Sequence, residues 1–418
     1  MSNCSPEPHG SLETPSGEGT IMDERLAEQL AERVDRLLSG PSGLGTSAAR
    51  VTDLLRPSPG TVVAPSAPPL PTLPTLPSLP SPTRKGGHFS PGYAEREWGD
   101  GSFPPLYCPL TARVDDDLAR EVNDRLVAWA EEVGIYADRL DRFRDTGFGR
   151  LAVLAHPETD DVDALLLGAK MNAAWWTSDD YYADETDLGA APVELPPRLA
   201  LVMSAMDPPP PAGRYTDQLE DAIRADPVLV ALRSAVEHVR RLASHPSQVM
   251  RICTTTFQMY VSWAAYAAWR HTGERPPVWR YLAARQHDSF YTSMTLIDIV
   301  GGYQLDANLF YEPRVHRAVM QAGTAAVIVN DLVSAEKEAA DALPDCNVVL
   351  LIAEEEGCTL REAAEAAVAL HNHFVRGFEA SQKELAALPS PELQRFLLGV
   401  QGWMAGGFDW HGSSDRYK

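Results

Sequence analysis

The sequence predicts an all-α fold: a large helical bundle over residues 104–418, preceded by a disordered Pro-rich segment over residues 1–103. Three observations carry that reading. After residue 103, long stretches place apolar side chains three and four residues apart, the spacing of a buried helix face. Strand-like alternation and hairpin dipeptides are almost absent from the same stretch. Before it, from Arg56 to Pro91, Pro, Ser, Thr and Leu dominate, as in Ala67-Pro68-Pro69-Leu70-Pro71. Proline removes amide donors and fixes φ, so neither helix nor sheet propagates there.

The helical segments follow in order as Asp115–Val133, Asp161–Tyr182, Pro227–Ala243, Gln248–Trp269, Val278–Gly301, Pro313–Ala340 and Thr359–Ala387. In the first, Leu118, Val122, Leu126 and Trp129 form one stripe. No sheet is expected. One amphipathic helix, Asp23 to Leu38, interrupts the arm, with Leu26, Leu30, Val34 and Leu37 on a single face.

Composition narrows the function. The chain has 418 residues, 44% of them hydrophobic, and a formal charge of −22. That balance argues against nucleic acid and anionic membranes as partners, since both need a basic face. It permits an anionic substrate if carboxylates first collect divalent metal. The five cysteines are scattered without C-x-x-C spacing, which suits reduced thiols in a cytoplasmic protein. No secretory signal is legible, and the apolar stretch from Val249 to Trp269 carries Arg251 and reads as a buried helix.

Two segments carry chemistry. The first, Trp175-Trp176-Thr177-Ser178-Asp179-Asp180-Tyr181-Tyr182-Ala183-Asp184-Glu185, closes an apolar helix with clustered carboxylates. Asp180 and Asp184 stand at i and i+4 on one face, with Asp179 adjoining. Magnesium takes oxygen ligands and keeps waters and substrate phosphates in its shell, so two or three carboxylates suffice. A solvated acidic helix end would read the same way. The second, Asn330-Asp331-Leu332-Val333-Ser334-Ala335-Glu336-Lys337-Glu338, decides between them. Asn330, Ser334 and Glu338 recur every fourth residue, lining one face with an amide oxygen, a hydroxyl and a carboxylate. They follow the apolar run Ala325–Val329, where unpartnered polar groups cost desolvation; a metal ion is one partner that offsets it. Lys337 adjoins the last of them and can donate to a phosphate oxygen.

In order and spacing these segments resemble the aspartate-rich motif and the N-D-x-x-S-x-x-K-E motif of bacterial class I terpene cyclases. The resemblance spans residues 104–418. It implies a terpenoid synthase bundle in which the two motifs hold three Mg²⁺ ions around an isoprenoid diphosphate. Asp179 and Asp184, with Asp180 ranked lower, would bind metal from the first motif, and Asn330, Ser334 and Glu338 from the second. Arg285, 45 residues before Asn330, resembles the diphosphate-sensing arginine, and Asp288 and Ser289 the linker and effector positions. The downstream Gly301-Gly302 pair could relax that helix. The C-terminal Trp410-His411-Gly412-Ser413-Ser414-Asp415-Arg416-Tyr417 resembles a W-x5-R-Y element, whose Arg416 and Tyr417 would close over diphosphate. Trp175, Trp176 and Trp410 would line the cation pocket, where aromatic faces stabilise positive charge.

The Pro-rich arm and the run Arg285-Gln286-His287-Asp288-Ser289-Phe290-Tyr291 resemble the subgroup that cyclises 2-methylgeranyl diphosphate. That likeness implies a separate methyltransferase supplying the substrate, and a terminal capture of the cation by water. The first motif departs from the subgroup, which carries cysteines where this chain has Tyr181 and Ala183. A methylbornane or methylbornene hydrocarbon product, or an unmethylated geranyl or farnesyl substrate, stays open at this point. A chain-elongating prenyltransferase would carry two aspartate-rich motifs, and a non-catalytic helical scaffold with a partner-binding arm would need no metal. Cyclases of this kind are often homodimers.

Overall fold

The computed structural model describes residues 92–111, 113–184, 190–340 and 346–413. The expected amphipathic helix, most of the Pro-rich arm, Arg416 and Tyr417 lie outside the described residues. The described chain is helical, apart from a short hairpin at its start.

That hairpin corrects two expectations. Strands β1 (Tyr93–Arg96) and β2 (Leu106–Pro109) pair antiparallel, Tyr93 opposite Pro109 and Arg96 opposite Leu106. A sheet therefore exists, and the boundary expected after residue 103 falls inside it. Both strands are too short to show alternation, and a long loop rather than a two-residue turn joins them. Tyr93 and Tyr107 stack across the pair at 5.6 Å.

The helices are α1 (Asp116–Val133), α2 (Leu140–Asp145), α3 (Phe148–Ala155) and α4 (Val162–Asp179), which runs into a π-helical turn, Asp180–Asp184. There follow α5 (Leu195–Met206), α6 (Arg214–Ala225), α7 (Pro227–Leu242) and α8 (Pro246–Thr272). Next come α9 (Val278–Arg285), α10 (Phe290–Met294), α11 (Ile297–Val300) and α12 (Ala307–Phe310). The last are α13 (Pro313–Ala339), α14 (Val348–Glu356), α15 (Leu360–Leu385) and α16 (Pro391–Ser413). Their starts are chemically marked. Asp161 caps α4 by accepting from Asp163 N and Ala164 N, and Asp226 and Glu312 cap α7 and α13, each with proline at the first turn. Thr359 and Glu362 form a capping box on α15.

The hairpin docks on the last two of these helices. Tyr107 N donates to Asn372 Oδ1 at 2.7 Å, Tyr107 OH to Glu379 Oε2 at 2.8 Å, and Arg96 pairs with Asp409.

The centre is α13, packed against α10, α14, α15 and α16. It is long and apolar enough to cross a membrane, yet 78% of its most apolar window is buried inside the bundle. It is a core helix. On it Gly323 admits the backbone of α10: a Cβ there would lie 3.0 Å from Tyr291 Cβ and 3.2 Å from its Cα. α3 is buried except at Arg150, and at Gly406 an added Cβ would stand 2.7 Å from the Leu154 carbonyl carbon.

The expected single helix over Val278–Gly301 is broken into α9, α10 and α11. The breaks lie at Gln286–Ser289 and at Thr295–Leu296, both before the Gly301-Gly302 pair. Ser289 has a φ of 39°, a left-handed conformation unusual for a side chain of its kind. Side-chain bonds around Asp288 hold it there.

Candidate active site

The second motif rides on α13. Asp331 is 2% exposed. Its Oδ1 accepts from Arg285 Nη2 at 2.6 Å, and its Oδ2 from Tyr281 OH at 2.7 Å and Val348 N at 3.1 Å. Asn347, the cap of α14, donates through one nitrogen to Asp331 O (2.8 Å), Ser334 Oγ (3.3 Å) and Glu338 Oε2 (3.0 Å). The hydroxyl and carboxylate expected to share a metal thus converge within hydrogen-bond reach of one atom. That donor set of hard oxygens suits Mg²⁺. Lys337 is exposed beside Glu338.

Arg285 closes α9 above this network. Its Nη1 pairs with Asp288, and its Nη2 reaches both Asp331 and, at 3.2 Å, Asn330 Oδ1. The rings of Tyr266 and Tyr281 each lie 5.9 Å from its guanidinium. Burial works against its charge, but the Asp331 carboxylate foremost holds its pKa well above the ordinary value. Asp288 is 1% exposed; its Oδ1 accepts from Trp263 Nε1 and from Ser289 Oγ, both at 2.9 Å. These bonds draw the chain out of the helix at Ser289.

The first motif ends α4. Asp179 is its last residue, and the carboxylates then pass into the π turn, bonded i to i+5. The wider turn brings position 184 toward the side of 179 as well as 180, which an α-helix would not do. Asp180 is buried and accepts from Tyr136 OH. Tyr181 OH accepts from Tyr136 N at 3.1 Å, and Tyr182 OH donates to Asp226 Oδ2 at 2.6 Å. The side chain of Asp184 lies outside the described residues.

Helix α8 spans both halves. Tyr260 sits beside Asp179, and burial, with that carboxylate adding, pushes its hydroxyl pKa up. Trp263 holds Asp288, Tyr266 covers Arg285, and Arg270 Nη1 donates to Ala183 O at 2.9 Å. Between them lies a cluster of rings. Trp176 contacts Phe148 at 5.6 Å, Phe290 at 6.0 Å and Trp410 at 6.0 Å, and Phe148 stacks on Trp410 at 5.8 Å. Phe290 directly follows the break at Ser289. Trp175 stands apart from this cluster: consecutive helical residues diverge, and its Nε1 donates to Thr256 Oγ1 at 3.2 Å.

Residues 170–376 match the family described as terpene synthase family 2, C-terminal metal binding. The chain is 34% identical over 390 residues to a 2-methylisoborneol synthase of Streptomyces griseus, covering 92% of this chain and 80% of that one. A 2-methylisoborneol synthase of Streptomyces coelicolor is 37% identical over 313 residues, covering 74% of this chain and 70% of that one. The crystal structure of the S. coelicolor enzyme with Mg²⁺ and 2-fluoroneryl diphosphate superposes with a TM-score of 0.71, at 36% identity, covering 75% of this chain and 96% of that one.

The chain belongs to the class I terpene synthases.

As such it is a Mg²⁺-dependent terpene cyclase, a lyase that acts on an isoprenoid diphosphate. Of the residues the sequence singles out in this cyclase, the structure brings Arg285, Asp288 and Asn330 together, and Asn347 links Ser334 to Glu338. Sequence reasoning missed Asp331, Tyr281, Asn347 and His411. Asp331 was visible inside the motif but without a role. Asn347 was legible only as a helix cap before an apolar run, His411 stood inside the C-terminal segment without a role, and Tyr281 carried no local signal.

Proposed function

We propose that this cyclase ionises 2-methylgeranyl diphosphate and cyclises it to 2-methylisoborneol, releasing diphosphate. The observation that carries the reading is the meeting of Arg285 with Asn330 and Asp331 beside the Trp176–Phe290–Trp410 cluster: a diphosphate-binding head next to an aromatic floor. The relatives' names supply the substrate class.

Asp179, Asp184 and, less directly, Asp180 bind metal from the π turn; Asn330, Ser334 and Glu338 bind it from α13, for three Mg²⁺ ions in all. When bound, these ions neutralise the charge that develops on the departing diphosphate. Arg285, Lys337, Arg416 and Tyr417 donate to that group. Asp288 and Ser289 carry the movement of Arg285 to the break before Phe290. Trp176 and Trp410, with Phe290, present π faces to the carbocation and exclude water until the final capture. Trp175 supports the floor from behind. The trans allylic cation cannot close a six-membered ring directly, so isomerisation to a 2-methyllinalyl form and rotation about its C2–C3 bond precede cyclisation.

A separate methyltransferase supplies the C11 diphosphate, and the enzyme works in the cytoplasm. An exposed apolar row on α8, Met250, Phe257 and Val261, supports a homodimer. Tyr181 and Tyr182 spend their hydroxyls on Tyr136 and Asp226, so the departure from cysteine at position 181 concerns scaffold contacts.

The test is gas chromatography–mass spectrometry of volatiles from purified protein with Mg²⁺ and 2-methylgeranyl, geranyl or farnesyl diphosphate. A single C11 alcohol from the methylated substrate is expected. A C11 hydrocarbon would change the terminating step, and turnover of an unmethylated substrate alone would overturn the assignment.

A further inference from the structure

The carboxamide of Asn330 is held at both ends. Its Oδ1 accepts from Arg285 Nη2 at 3.2 Å, and its Nδ2 lies 3.3 Å from His411 Nε2. His411 Nδ1 lies 2.6 Å from Gly407 O. Only an Nδ1–H can make that contact, so in the neutral ring Nε2 carries the lone pair and accepts from Asn330. Turning the amide over would set its NH₂ against a guanidinium and its oxygen against an imidazole lone pair. Both contacts would repel. His411 itself is fixed: it is 4% exposed, on α16, with Trp410 at 5.0 Å and Phe290 at 5.6 Å between ring centroids.

We infer that His411 is a positioning residue for metal binding, holding the Asn330 amide with its oxygen toward the ion. The inference rests on Asn330 being a metal ligand, as proposed above. A carboxamide binds a hard cation through oxygen alone, so half of its two flat orientations are unproductive. In the substrate-free protein Arg285 also selects the right one. When Arg285 turns to diphosphate, the His411 contact still selects that orientation. Its place at the seam between the α13 oxygens and the aromatic cluster explains a buried polar ring against Trp410 and Phe290.

The experiment measures Mn²⁺ binding to the full-length protein with inorganic diphosphate, by electron paramagnetic resonance of free Mn²⁺. His411→Phe should weaken Mn²⁺ binding about 10–100-fold, the usual effect of removing a residue that orients a metal ligand. His411→Gln, whose amide oxygen can accept from Asn330, should restore most of it. In an Asn330→Asp background both ends of the ligand are oxygen, so adding His411→Phe should cause no further loss. Thermal midpoints without ligand check the fold, and His411→Met replaces the phenylalanine variant if that one unfolds. Wild-type affinity in His411→Phe, or an equal loss in both backgrounds, would overturn the positioning role. Wild-type affinity in Asn330→Ala would instead overturn the metal assignment on which it rests.

Discussion

On α13, Asp331 makes three side-chain hydrogen bonds, Asn347 ties Ser334 to Glu338, and Arg285 and His411 grip the two ends of the Asn330 amide. On the π turn, by contrast, most of these bonds hold the frame: Tyr136 N donates to Tyr181 OH, Tyr182 OH donates to Asp226, the Arg270 guanidinium donates to the Ala183 carbonyl, and Tyr136 OH donates to Asp180. The difference teaches where preorganisation lies. A regular helix inside the core presents its oxygens at fixed intervals, and the surrounding donors can be built around them. A π turn at a helix end trades that regularity for a turn of more residues, which swings position 184 round toward positions 179 and 180.

Breaking the α13 half should have the largest effect. Asn330→Ala or Glu338→Ala should lower turnover by at least on the order of 10²–10³-fold, with circular dichroism unchanged. Unchanged turnover in either would remove the metal role. Asp331→Asn leaves the buried Arg285 charge half-paired and should destabilise the protein by about 3–5 kcal/mol in a denaturant titration. The corresponding cut on the π turn, Tyr182→Phe, should cost about 1 kcal/mol, one hydrogen bond's worth. Equal costs would erase the contrast.

Acid tests a region outside both motifs. Burial lowers the pKa of His156 to about 3 and, foremost again, that of His371 to about 4. The unfolded chain takes up these protons near pH 6.5, and the folded chain does so only near 3 to 4. Stability should therefore fall as pH drops below 6.5, by about 2 kcal/mol per histidine at pH 5. His156→Phe should flatten that slope, and an unchanged slope would count against it. The smallest effect is expected from the N-terminal arm. Deleting residues 1–91 should leave kcat nearly unchanged, whereas deleting through Pro109 removes the hairpin that holds Asp409, Asn372 and Glu379 and should lower the melting temperature.

Much of this was written in the sequence. The long helices announced themselves by apolar spacing and by caps such as Asp115, Asp161 and Thr359, because both signals are local. The regular repeat of Asn330, Ser334 and Glu338 was equally local. Segments whose burial comes from the whole bundle stayed illegible: α3 is too short and too uniformly apolar to show a period, and α16 carries glycines inside a helix. The break at Ser289 was placed by Trp263 and Arg285 acting on Asp288, partners that no window of sequence brings together. The sequence alone determined the helical class and the oxygen-bearing side chains that recur along one face of α13, since these depend on neighbours along the chain. Only the tertiary structure decided which carboxylate serves Arg285, which tryptophan joins the aromatic floor and which histidine turns an amide, because each depends on side chains meeting from distant helices.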